Sequence, residues 1–139
     1  MSYEIFVDTG AWIALADADD QYHPSAQTVY LDLLKQRRQL ITTNLVVSEA
    51  YIAIRRTLGH TQAMAFLKSV RTSPRIARIY ADAALEDQAI QILEKYDDQE
   101  FSYVDAISFA TMRQRKLTHA FAFDKHFSTA GFVRVPEPA

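Results

Sequence analysis

Residues 3–10 read Tyr3-Glu4-Ile5-Phe6-Val7-Asp8-Thr9-Gly10, an apolar run of strand formers that stops abruptly on a carboxylate. Ala11 to Ala16 then has the character of a short helix. The rest of the chain continues that alternation. Asp17 to Gln21 is a polar break, and Pro24 suits a first helical position. Ala26, Val29, Tyr30, Leu33 and Leu34 recur at helical spacing and lead into a second strand, Leu40 to Thr43. Val46, Val47, Ala50, Tyr51 and Ile54 predict a helix ending near Gly59. Thr61 is expected to cap a further helix carrying Ala63, Met64, Leu67 and Val70, which Pro74 stops. Arg75 to Tyr80 reads as a third strand. Asp82 caps a helix with the stripe Leu85, Ala89, Ile92, Leu93 and Tyr96. After the acidic loop Asp97 to Glu100, Ser102 begins a helix that runs to about Lys116. Ala120 to Phe123 forms a fourth strand closing on Asp124, and Phe132 to Val135 a short fifth. Strands alternating with helices imply a parallel sheet covered on both faces. The expected fold class is α/β: an α/β/α sandwich on a central parallel sheet of four to five strands, one domain over residues 1–139.

The composition excludes several functions. With 3 Gly there is no glycine-rich dinucleotide or P-loop signature, and with no Cys there is no thiolate nucleophile, disulfide or Cys-bearing zinc site. No apolar run approaches the length of a bilayer span and no signal peptide opens the chain, so a cytoplasmic protein is expected. Lys+Arg 15 against Asp+Glu 17 gives a net charge of -2, which at face value argues against nucleic-acid binding.

Four acids change that argument. Asp8 and Asp124 each close a predicted strand, and in open parallel sheets the carboxyl ends of strands face the ligand crevice. An Asp in that place is also an ordinary turn or cap residue. Glu49 has Leu45, Val46, Ile52 and Ala53 as its helical neighbours, so it is either at a helix edge in water or in need of a partner. Ser102-Tyr103-Val104-Asp105 fits a capping box with Asp in place of Glu, which alone accounts for Asp105. Taken together, four converging carboxylates would be destabilising, or partly protonated, unless a cation sat among them. Two of them about 4 Å apart at an effective dielectric near 20 repel by about 4 kcal/mol. Oxygen donors without Cys or His select Mg²⁺ or Mn²⁺, and such an ion suits phosphoryl chemistry. With those four acids set aside, the bases outnumber the remaining acids.

The order Val7-Asp8-Thr9, Thr43-Asn44-Leu45-Val46-Val47-Ser48-Glu49, Phe101-Ser102-Tyr103-Val104-Asp105-Ala106 and Phe123-Asp124-Lys125-His126-Phe127 resembles the PIN domain, and within it the VapC-type toxins of toxin–antitoxin pairs. The likeness runs through essentially the whole chain. It implies a Mg²⁺- or Mn²⁺-dependent endoribonuclease whose acidic quartet is Asp8, Glu49, Asp105 and Asp124. Thr9 and Ser102 match small polar positions that support the quartet. It also implies an RNA substrate, a VapB-like antitoxin laid over the cleft as a helix or extended tail, and a homodimer. In one respect the chain departs from many relatives, which carry Thr or Ser two residues before the last acid where Ala122 stands here.

Other residues stay open on sequence grounds. Arg55-Arg56, Arg75 with Arg78, and Arg113-Arg115-Lys116 are either substrate contacts or solvated faces. Lys125 and His126 adjoin Asp124 and are candidates to reach phosphate. Trp12, Tyr22, Tyr51 and Tyr103 are candidates to stack bases, although Trp12 and Tyr51 read better as core or interface residues. None of the four His shows metal-ligand spacing. Rival readings are a haloacid-dehalogenase-type phosphatase, disfavoured because Gly10 stands where its second Asp belongs, and a non-catalytic PIN-fold binding module. A receiver-type phospho-acceptor lacks its paired acids.

Overall fold

The computed structural model describes residues 3–138. Five strands, β1 (Glu4–Val7), β2 (Gln39–Thr43), β3 (Ile76–Ile79), β4 (His119–Phe121) and β5 (Val133–Val135), form one sheet in the order β3-β2-β1-β4-β5. Every pairing is parallel. The central strand, β1, registers Phe6 against Ile41 on one side and Ala120 on the other. Its Ile5, Phe6 and Val7 are fully buried, as a strand covered on both faces requires.

Seven helices connect the strands: α1 (Thr9–Ala16), α2 (His23–Lys35), α3 (Asn44–Leu58), α4 (His60–Thr72), α5 (Ala83–Lys95), α6 (Tyr103–Gln114) and α7 (His126–Thr129). Each βα turn places a helix start at the carboxyl edge of the sheet. The side chains there do the capping that sequence suggests: Asp82 accepts from the Leu85 N–H, and Thr43 accepts from the Val46 N–H. Asn44 Oδ1 accepts from the Ala81 N–H at 2.9 Å, which ties the end of β2 to the exit of β3. At the far ends, α2 and α6 close on left-handed Arg37 and Lys116. In each the N–H two residues past the cap reaches back, from Arg38 to Leu33 O and from Leu117 to Met112 O.

α6 is the most enclosed helix, with every residue from Asp105 to Met112 buried. Its Ser108 and Thr111 hydroxyls donate to carbonyls one turn back, so no polar group is stranded there. Phe109 of α6 meets Phe127 of α7 at 5.0 Å, and Phe127 in turn lies 6.2 Å from Phe6 of β1. That chain of rings joins the middle of the sheet to the last helix.

Three expectations need correction. Thr61 caps nothing: α4 begins at His60 after Gly59, whose φ of 94° ends α3 and starts α4 in a single residue. β4 is shorter than Ala120 to Phe123 and ends at Phe121, although the Ala122 N–H still bonds Val135 O. α7 was not anticipated, because four residues are too few to show a helical period. No helix among the described residues is long and apolar enough to cross a membrane.

Candidate metal centre

Asp8 sits where β1 gives way to α1. Its backbone N–H bonds Phe121 O of β4, and its carbonyl receives the first N–H groups of α1. Its side chain makes no capping bond. The backbone therefore does the work of the turn, and the carboxylate is left for something else. It is 5% exposed, and its pKa rises from 3.8 to about 7. Burial is the main cause, and the charges of Asp105, Asp124 and Glu49 add to it, against a lowering contact with the Thr9 backbone.

Asp105 is held from two sides. Ser102 and Asp105 complete the capping box, the Ser102 N–H donating to Asp105 Oδ2 at 3.0 Å and the Asp105 N–H to Ser102 Oγ at 2.9 Å. The same Oδ2 accepts from His126 Nδ1 at 2.9 Å. Asp124, on the turn after β4, accepts the His126 N–H at 2.8 Å and lies 3.5 Å from its Nδ1. Ligand atoms of Asp105, Asp124 and His126 all fall within 4.8 Å of one another. Glu49, on the second turn of α3, is exposed, yet its charge reaches Asp8. The structure thus gathers Asp105, Asp124 and His126 tightly and puts Asp8 in the field of all four proposed ligands' carboxylates but its own.

His126 is the residue that sequence reasoning missed in this role. Linear spacing found no ligand pattern among the four His, whereas the tight turn at Asp124-Lys125-His126 and the edge contact of its ring with Phe101 at 5.2 Å aim the imidazole at Asp105. The His126 N–H also gives Asp124 a support that Ala122, a buried methyl, does not.

The PIN domain family matches residues 5–133. This chain belongs to the PIN domain family. It is 39% identical over 131 residues to the 23S rRNA-specific endonuclease VapC20 of Mycobacterium tuberculosis, in each of two strains, covering 94% of this chain and 97% of the relative. The crystal structure of that organism's VapC20, described as a Sarcin-Ricin loop cleaving toxin, superposes with a TM-score of 0.85 at 37% identity, over 93% of this chain and 96% of the other. FitAcB from Neisseria gonorrhoeae shares the fold, with a TM-score of 0.64 at 18% identity over 94% and 95% of the two chains.

Within the PIN fold the other sequence candidates separate by position. Arg115 forms a two-pronged pair with Glu4 at the start of β1, and Arg75 donates to Leu34 O. Both lie toward the amino edge of the sheet, away from the carboxylates, as do Arg113 and Lys116 at the end of α6 and Arg55 and Arg56 at the end of α3. Trp12 is core, its indole N–H donating to buried Thr42. Tyr103 is exposed and donates to Glu86. Lys125 is exposed on the Asp124 turn.

The capping box gives a direct test of how Asp105 is held. Ser102→Ala should lower stability by about 1 kcal/mol, a fall in Tm of about 3–4 °C for a chain this long. A thermal melt within 1 °C of wild type would mean the box contributes nothing.

Proposed function

We propose that this protein is a Mg²⁺- or Mn²⁺-dependent endoribonuclease of the VapC type, the toxin of a VapBC-type pair. One observation carries the reading: a buried carboxylate, Asp8, raised to about 7 beside three further acids at the carboxyl edge of the sheet. Whole-length similarity to a 23S rRNA-specific endonuclease supports RNA as the substrate class.

The residues fit a hard divalent cation. Carboxylate oxygens dominate the donor set, and His126 Nδ1 is engaged on Asp105. Thr9 Oγ1 is buried beside Asp8 without a hydrogen-bond partner among the described residues, which leaves it for a water or ion. Asp8, Glu49 and Asp105 would hold the ion directly or through water, and Asp124 completes the pocket. Such a cation, when bound, polarises a water and neutralises charge on the leaving oxygen. Ser102 and His126 keep Asp105 pointed into the pocket. Exposed Lys125 meets the substrate phosphate. No protein nucleophile is needed, in keeping with the absence of Cys.

Purified protein should cut RNA with Mn²⁺ or Mg²⁺ and stop in EDTA; cleavage that survives EDTA would overturn the proposal. A pH dependence follows from Asp8. Below about pH 7 a proton competes with the ion for this carboxylate, so Mn²⁺ affinity should fall by up to about ten-fold for each pH step of one. Calorimetric titration between pH 5.5 and 7 measures it, and a flat affinity would remove Asp8 from the centre.

An antitoxin partner is part of the same proposal. Trp12, Leu15, Ala16, Tyr30, Leu31 and Phe66 line an open groove of about 460 Å³ between α1, α2 and α4, with Leu31 exposed. Apolar surface of this kind is characteristic of a protein-docking site. A VapB-like antitoxin helix, a homodimer and a cytoplasmic location complete the reading.

A further inference from the structure

Beside the acidic pocket, two rings lie face to face. Tyr22, in the loop before α2, stacks on Phe123 with centroids 4.4 Å apart and planes 8° from parallel. Phe123 immediately precedes Asp124. Tyr22 remains 43% exposed although Phe123 covers one of its faces.

We propose that Tyr22, backed by Phe123, is a stacking shelf for an unpaired RNA base next to the scissile phosphate. The proposal rests on the ribonuclease reading above and adds a subsite to it. Both rings are fixed before any substrate arrives. The Tyr22 N–H donates to Asp20 Oδ1 at 2.8 Å, the Tyr22 carbonyl accepts from the Ala26 N–H, and the next residue, His23, is held by its Nδ1 on Ala14 O. The Phe123 carbonyl accepts from Arg134 Nη1 at 2.8 Å, and Arg134 Nε donates to Ser128. A rigid aromatic loses little entropy on stacking, and every base offers a π face. The charges around the shelf select a base over a phosphate. Asp17, Asp19 and Asp20 in the Tyr22 loop repel the backbone, whereas exposed Lys125, two residues after Phe123, attracts it. An RNA strand that crosses Lys125 therefore presents a base to Tyr22. Only an unstacked base can do so, which selects loops and single strands.

The shelf is tested by steady-state cleavage of a single-stranded RNA, with melting curves for each variant. Tyr22→Ala should raise KM about ten-fold with kcat within about two-fold, and Tyr22→Phe, which keeps the ring, should restore KM. A second reading needs no cleavage. In Tyr22→Trp held in EDTA, the same RNA should quench the new tryptophan fluorescence, above the background of buried Trp12. The proposal requires both results. An unchanged KM in Tyr22→Ala, or no quenching in Tyr22→Trp, overturns it, including the case in which Tyr22→Ala weakens only antitoxin binding. If the wild type cuts no RNA at all, the ribonuclease reading fails, and the quenching measurement still decides whether the shelf holds a base.

Discussion

Asp8→Asn is expected to abolish cleavage and to strengthen the metal-free fold at the same time. A partner that merely orients a metal ligand is worth 10- to 100-fold, so loss of Asp8, if it holds the ion as proposed, should cost more than about a hundred-fold in rate. The stability effect has the opposite sign. Asp8 binds its proton more tightly folded than unfolded, so the stability it contributes is complete below pH 3.8, declines as pH rises, and is gone above about 7. A shift from 3.8 to about 7 corresponds to about 4 kcal/mol against the ionised form. Without metal at pH 8, Asp8→Asn should therefore melt several degrees above wild type, and the gap should shrink toward pH 4. Adding Mn²⁺ should raise the wild type and not the variant. An Asn variant that melts lower than wild type at pH 8 would show that Asp8 is not an uncompensated charge.

Phe127→Ala is the second large effect, and it links the core to the chemistry. Phe127 is the one buried residue of α7 and is fully enclosed between Phe6 and Phe109. Truncating a buried Phe costs about 3–5 kcal/mol, a fall in Tm of about 10 °C or more here. With its buried apolar anchor gone, α7 loosens the turn that carries His126 and Asp124. Cleavage at 20 °C, where the variant is still folded, should fall well beyond what its unfolded fraction explains. Chemical denaturation and single-turnover cleavage measure the two losses; a destabilisation below 1 kcal/mol would mean that α7 is held by something else.

The sheet was legible because its strands are apolar on both faces and each is followed by an amphipathic helix. Ile5-Phe6-Val7 announces a buried strand, and β1 is buried. The capping box at Ser102 and the cap at Asp82 were equally plain, since those bonds span three residues and are written locally. What failed was either too short or too distant. α7 has no room for a period. Thr61 lost to Gly59 because a glycine with positive φ can end one helix and begin the next. At the candidate centre, Asp8 follows β1 directly, as its sequence suggests, Asp124 stands three residues past the end of β4, and Asp105 sits in its box. His126 could not be placed from sequence, because its partner Asp105 lies 21 residues away and the contact depends on how α6 and α7 pack. The arginine clusters carried no sign of direction in sequence. Whether a helix end faces the carboxyl or the amino edge of the sheet is settled only by the order of the strands.

That order has a bearing on how the protein comes into being. β1 pairs with β4, so Phe6 must wait for Ala120, which is made 114 residues later. Until then β1 lacks its second neighbour, Asp8 has no Phe121 carbonyl to fix its backbone, and Asp124 and His126 have yet to be translated. A nuclease that cuts RNA is a hazard to the ribosome that makes it. Here the topology supplies a delay, because a nascent chain that stops short of β4 lacks Asp124, one of the four proposed acids, and has no β4 strand to fix Asp8.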